Sequence, residues 1–181
     1  MIVVFFILGI MMWTLTEYML HRFLGHEHRG KNFFKAEHFQ HHARFNYFAP
    51  AYKKALSAVI LFAILLALGS LVFPVLNVLA FLIGFFGMGT LYEVTHFRYH
   101  SKNPVAKIFI VLRKHHFYHH FHNPKVNHGV TSRIWDRIFG TFTPVEKVNI
   151  PEQMIMNWLM DENELKPVYV PHFRISKTRG K

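Results

Sequence analysis

Fifteen histidines in 181 residues are the first feature of this chain with chemical content, and their spacing says more than their number. HRFLGH sets His21 and His26 five apart, with Gly25 between them to relax a helical turn. HFQHH places His38, His41 and His42 at i, i+3 and i+4, one face of a helix. HFRYH separates His96 and His100 by four, and HHFYHHFH repeats the i, i+3, i+4 set at His116, His119 and His120. One such pair arises by chance; four groups in order do not. Neutral imidazole suits zinc, copper, iron and nickel. Ten imidazoles exceed the four ligands of a tetrahedral zinc site, so two metals are the economical reading. The ten imidazoles would fill most of the positions of two six-coordinate irons and leave some open, as oxygen chemistry requires. Cysteine is absent, which excludes disulfides, thiolate zinc sites, iron–sulfur clusters and cysteine nucleophiles.

The elements that must carry these groups are apolar. Met1 to Leu20 holds one charge, Glu17, and Ala55 to Tyr92 holds none over 38 residues. A bilayer core of about 30 Å needs about 20 helical residues, so the first run supplies one span and the second supplies two. Pro74 marks the turn between the latter two. The first run lacks the basic start and small-residue cleavage site of a secretory signal and is read as a span. The expectation is an all-α integral membrane protein forming one domain over 1–181. It has spans at about 1–20, 55–73 and 75–95, and a helical cap built from 21–54 and 96–181.

Charge sets the expected orientation. Of 21 basic residues, seven fall in 21–54 and fourteen in 96–181, with none in the apolar runs. Positive segments stay cytoplasmic, so both cap segments should share the cytoplasmic face, with the N-terminus outside. The net charge of +11 is then a topogenic signature and a face for anionic headgroups rather than a nucleic-acid footprint. Both histidine clusters begin where a span ends, so they should meet at one surface. Haem ligands or transport ligands would lie within the spans, which contain no histidine before His21 or between His42 and His96. A metal-buffering protein would favour a low-complexity tract over fixed spacings.

The four groups, together with LYEVTHFRYH and RKHHFYHHFHNPKVNHGVTSRIWDRIFGTF, resemble the fatty acid hydroxylase superfamily of membrane di-iron oxygenases, and within it the fatty acid 2-hydroxylases. The resemblance covers roughly residues 10 to 145. It implies two iron ions, with zinc as a possible substitute in a preparation. The ligands it implies are His21, His26, His38, His41, His42, His96, His100, His116, His119 and His120. It also implies oxygen insertion into a C–H bond of a lipid acyl chain, using O2 and electrons from a separate carrier of the ferredoxin or cytochrome b5 type. Sterol or carotenoid hydroxylases and desaturases of the same superfamily are the alternative, and a non-catalytic metal-binding membrane protein is another. The stretches Asn127-His128-Gly129 and Trp135-Asp136 favour the fatty acid and sterol branches. The sequence departs from fuller family members in having one span before the first histidine group and no fused cytochrome b5-like domain. A bacterial inner membrane is favoured over the endoplasmic reticulum.

Around the ligands, Glu17 and Glu93 stand four and three residues before His21 and His96, where either could accept the outer N–H of a ligand histidine. His115 and His122 offer alternative ligand pairs with His119, or outer donors. Asn127, His128 and Asp136 are further supporting candidates, and His28 and His172 are surface groups. Some of Phe97, Phe117 and Phe121 should wall a substrate channel. Gly84, Gly87 and Gly89, inside a span, should permit close helix packing.

Overall fold

The structure, a computed structural model, describes residues 1–101 and 107–177. Lys102, Arg179 and Lys181, part of the basic count, lie outside the described residues. Among the described residues, three helices are long and apolar enough to cross a membrane: Ile2–Glu27, Ala51–Ser70 and Val75–Ser101. The first comprises α1 (Ile2–Met19), which runs without a break into a π-helical stretch, Leu20–Glu27. After it come α2 (Phe33–Ala43), α3 (Ala51–Ser70) and α4 (Val75–Ser101). Asn32 caps α2 by accepting the Lys35 N–H at 2.7 Å. Pro74 closes the turn between α3 and α4, its carbonyl accepting from the Asn77 and Val78 amides. The helices thus outrun the predicted spans at their histidine-bearing ends, and α4 carries His96 and His100 on its own last turns.

The helix pair α1 and α4 forms the framework. Phe6 meets Gly84, Gly9 meets Phe81 and Phe85, and Trp13 meets Gly89, so the two helices run parallel. A Cβ on Gly9 would sit 2.1 Å from the Phe81 carbonyl oxygen, and one on Gly84 2.2 Å from that of Phe6. Backbone meets backbone here, and only glycine allows it. Gly87 differs from the sequence expectation: it faces open space, with nothing within 4 Å of its virtual Cβ. Gly84→Ala is therefore expected to destabilise the protein by about 1–3 kcal/mol, because the helices must part. Gly87→Ala should be neutral or slightly stabilising, and detergent-phase thermal unfolding of both variants checks the contrast. By comparison α3 has no buried residue and packs chiefly along α4, leaving its apolar side chains to lipid.

Beyond the spans, α5 (Lys107–Phe121) lies under a small cap made of α6 (Ile134–Ile138) and four short strands. The strands are β1 (Val148–Pro151), β2 (Met160–Asp161), β3 (Glu164–Leu165) and β4 (Phe173–Ser176). β1 pairs in parallel with β4, in the register Val148–Phe173, and β2 pairs antiparallel with β3. These strands add a minor β component to the helical framework. The cap's apolar core gathers Tyr99, Phe117, Phe121, Val130, Leu159 and Phe173. Phe117 and Phe121 are therefore core residues rather than channel walls. Buried Arg113 lies 4.0 Å above the Trp158 ring and donates to the Arg98 carbonyl at 2.7 Å.

Candidate metal centre

The ten histidines converge into two sets of five. His21, His26, His38, His42 and His119 form one, and His41, His96, His100, His116 and His120 the other. Within each set, one ring nitrogen per residue lies within 4.8 Å of all the others. The sequence pattern explains the division. Positions i and i+4 of a helix differ by about 40° in direction, whereas i+3 and i+4 differ by about 100°. In α2 the i, i+4 pair His38 and His42 joins the first set, and His41 turns to the second. In α5 the i, i+4 pair His116 and His120 joins the second set, and His119 turns to the first. Each of these helices therefore serves both sets. The rings of His42 and His120 stack across the boundary at 4.0 Å and 3°.

The π-helical stretch has a similar reason. Residues five apart on an α-helix point about 140° apart, and a wider i→i+5 turn returns them to one face. That brings His21 and His26 into the same set. A Cβ on Gly25 would come 3.0 Å from the His38 ring, so glycine there makes room for α2.

The donor set fits metal ions on its own geometry. His21 Nδ1 donates to the His128 carbonyl at 2.5 Å, and His119 Nδ1 donates to that of Val126 at 2.8 Å. A neutral imidazole with its proton on Nδ1 has a bare lone pair on Nε2. Yet the two Nε2 atoms face each other at 2.9 Å. Two lone pairs at that distance repel unless a cation lies beside both. Further Nε2 pairs stand at 2.8 Å (His26–His38), 2.9 Å (His26–His119), 3.2 Å (His42–His119) and 3.0 Å (His100–His116). With metal–nitrogen bonds of about 2.0–2.1 Å, ligands at right angles stand about 3.0 Å apart and tetrahedral ones about 3.4 Å. These spacings therefore suit a crowded, octahedral-like sphere better than a tetrahedral one. In the second set, His41 Nδ1 donates to the Tyr47 carbonyl at 2.8 Å, and among the described residues the buried His41 Nε2 and His96 Nε2 have no hydrogen-bond partner.

Electrostatics agree with neutral donors. Burial and the neighbouring imidazoles hold His38, His42, His116, His119 and His120 well below the ordinary histidine value. Burial brings His41 and His128 down from 6.5 to about 4. Between those values the unfolded chain binds more protons than the folded one, so this contribution to stability is complete above 6.5 and lost as pH falls toward 4. Acidification from about pH 7.5 to about 5 should therefore lower the thermal unfolding midpoint of both metal-loaded and chelator-treated protein. An unchanged midpoint in the chelator-treated sample contradicts this burial of neutral imidazole.

The supporting residues differ from expectation in several places. Among the described residues the Glu17 carboxylate pairs with no histidine of either set: it accepts from the Val130 amide at 2.5 Å, the Thr131 amide at 3.1 Å and the Thr131 hydroxyl at 2.5 Å. Glu93 pairs with Lys54 near the surface and also reaches no histidine. His115 donates Nε2–H to Asp136 at 2.9 Å, outside both sets. His122 accepts from the Asn149 amide at 2.9 Å and stacks on Tyr118. Asn127, at φ 59°, brackets Thr143 through both ends of its amide. The ring of His128 is fully buried against His119, with centroids 5.1 Å apart, and its carbonyl takes the His21 proton. His28 is exposed and His172 half-buried, and both lie outside the two sets.

Asp136 is the hub of this support. It accepts from the His128 amide (2.8 Å), the Gly129 amide (2.9 Å), the Thr141 hydroxyl (2.8 Å) and His115. Burial pushes its pKa up, but the His115 contact and the other donors hold it below the ordinary value. Asp136 and Glu17 together pin residues 128–131, from which the His128 carbonyl fixes His21. The Val126, His128 and Tyr47 carbonyls were not foreseeable, since a backbone acceptor leaves no mark in residue type.

Parallel spans delivering histidines from the same ends onto two five-imidazole sets define a membrane protein built around a dimetal centre. The chain belongs to the fatty acid hydroxylase family, whose model matches residues 6–141. It is 37% identical over 145 residues to the ceramide very long chain fatty acid hydroxylase SCS7 of Saccharomyces cerevisiae, covering 76% of this chain and 37% of that one. It is 30% identical over 143 residues to the dihydroceramide fatty acyl 2-hydroxylase FAH2 of Arabidopsis thaliana (76% and 60%). The rat fatty acid 2-hydroxylase is 30% identical over 149 residues (78% and 40%). The solved hydroxylase domain of full-length scs7p superposes with a TM-score of 0.62 at 31% identity, covering 77% of this chain and 55% of that one. The chain thus spans 60% or less of the length of these three curated relatives.

Proposed function

We propose that this protein is a membrane di-iron oxygenase that hydroxylates the acyl chain of a lipid, at the carbon beside the carbonyl. The observation that carries the reading is the pair of five-histidine sets, each with its donor nitrogens within 4.8 Å. Relatives named as fatty acid and fatty acyl 2-hydroxylases support the substrate class and the position. We assign His21, His26, His38, His42 and His119 to one iron and His41, His96, His100, His116 and His120 to the other.

Iron bound there would supply the redox chemistry, in which RH, O2, two electrons and two protons become ROH and water. The chain's part is to present neutral imidazoles, fix their tautomers and exclude water. The His128, Val126 and Tyr47 carbonyls hold protons on the Nδ1 atoms of His21, His119 and His41, which leaves each Nε2 lone pair free to coordinate. His116 and His119 are fully buried, so bulk water has no direct approach to them. No side-chain acid or nucleophile is required.

Electrons would come from a carrier outside these 181 residues, since they hold no cysteine for a cluster and the glycines at 84, 87 and 89 lie within a helix. We place the site on the cytoplasmic face because the basic residues flank the spans there. An acidic ferredoxin or cytochrome b5 would be steered to that face, and subsaturating turnover should slow as salt shortens the Debye length. NADPH alone should give no product. Expression in a host lacking 2-hydroxylated lipids tests the whole reading: iron-replete cells should accumulate hydroxyacyl lipid and iron-starved cells should not. Lipids identical to those of the empty host under both conditions contradict it.

A further inference from the structure

A cavity of about 280 Å³ opens beside the second histidine set. His100 lines it, with Trp158 and the rings of Phe48 and Phe97, while Asn46 and Asn157 stand exposed at its rim. It is therefore amphipathic: amide groups at the mouth, aromatic faces behind them, and a metal-set imidazole in the wall. Phe48 lines the cavity and also packs on the set, its ring 5.1 Å from His41, 5.6 Å from His96 and 5.9 Å from His100. It also packs 5.2 Å from Phe97, which is 45% exposed on the apolar helix α4. An aromatic wall thus runs from the rim amides to a side chain at the lipid-facing surface. The floor is held firmly, because the Trp158 indole donates to the His100 carbonyl at 3.2 Å. His100 is 2% exposed and its Nδ1 is buried with no partner among the described residues, although Nε2 lies in the histidine set. An imidazole that coordinates through Nε2 carries its proton on Nδ1 and ordinarily donates it.

We propose that this cavity seats the carbonyl end of the acyl substrate, with Asn46 and Asn157 as its hydrogen-bonding rim and Phe48 as the wall that limits which carbon reaches the metals. The inference rests on the acyl-hydroxylase reading and gives it a location. Attack beside the carbonyl requires the polar end of the lipid to lie close to the metal centre, since only one bond separates the two carbons. A polar-rimmed cavity touching His100 meets that requirement. Asn carboxamides donate Nδ2–H to a carbonyl oxygen. The tail then leaves along Phe48 and Phe97 toward the bilayer.

The test uses the full-length, metal-loaded protein without reductant, so that substrate binds but does not turn over. Radiolabelled palmitate and N-palmitoylsphinganine separate a free acid from an acyl amide as the source of the carbonyl. The double variant Asn46→Leu/Asn157→Leu should weaken binding of at least one probe about ten-fold or more, two hydrogen bonds being lost. The loss should be equal for twelve- and eighteen-carbon versions of that probe, because the rim reads the head and not the tail. Asn46→Asp, a surface change that leaves the fold alone, should weaken palmitate more than the amide by charge repulsion. With reductant and carrier supplied, Phe48→Ala should spread hydroxylation beyond the carbon next to the carbonyl. Wild-type affinity for both probes in both Asn variants, with an unchanged product position in Phe48→Ala, overturns the seat. If the wild-type protein hydroxylates no acyl lipid at all, the functional reading fails instead, whatever the binding data show.

Discussion

Alanine in place of His119 is expected to abolish hydroxylation and to cut the bound metal to about half. This imidazole has the most close donors in the first set: its Nε2 stands 2.9 Å from those of His21 and His26 and 3.2 Å from that of His42. Its proton is fixed on Nδ1 by the Val126 carbonyl, and its side chain is fully buried. Removing it takes one of five donors and opens a cavity where water can enter and compete. The second set loses no donor, so its metal should stay. His172→Ala, outside both sets and half-buried, is the matched control and should retain activity and metal. Metal analysis of the two purified variants decides the matter. Equal metal and equal activity in both remove His119 from the ligand set.

The second large effect is expected at Asp136, a residue outside both metal sets. Asp136→Ala should destabilise the protein by about 3 kcal/mol or more, since each buried donor left without its acceptor costs about 1–3 kcal/mol. Four donors lose their acceptor at once: two backbone amides, the Thr141 hydroxyl and His115. The segment they hold presents the His128 carbonyl to His21, so metal affinity should fall together with stability. Asp136→Asn keeps the shape and one acceptor oxygen and should recover part of both. Chemical denaturation and metal titration of the two variants measure this. If Asp136→Ala unfolds like the wild type, the 128–131 segment is held by Glu17 alone.

Much of this arrangement was legible in the sequence because it rests on spacing. Helical periodicity and the charge-free runs identified three long apolar helices, and the four histidine groups identified ten side chains that the fold does bring together. What spacing could not show was the division into sets. That depends on the 100° between i+3 and i+4, and on where α2 and α5 lie between the spans. The five-residue interval of His21 and His26 reads as irregular until the π-helical turn is seen. Glu17 and Glu93 were close to histidines in sequence, and proximity suggested a contact that tertiary structure does not make. Glu17 instead reaches residues 130 and 131, more than a hundred positions away, and Glu93 finds Lys54 on α3. Asp136 was visible only as a candidate, since its partners are mostly backbone amides. The short strands after residue 147 carry too few residues to show a period, so the cap's β component was not foreseen.

In the proposed reaction, iron held by the two histidine sets inserts an atom of dioxygen into an acyl lipid. Its most direct measurement is isotopic: iron-loaded protein, reduced through an acidic carrier, is given an acyl lipid under heavy-isotope dioxygen in ordinary water. The expected product is a hydroxyacyl lipid that carries the heavy isotope in its new hydroxyl and forms only with iron present. A hydroxyl oxygen drawn from water, or product that forms equally well with zinc in place of iron, would contradict it.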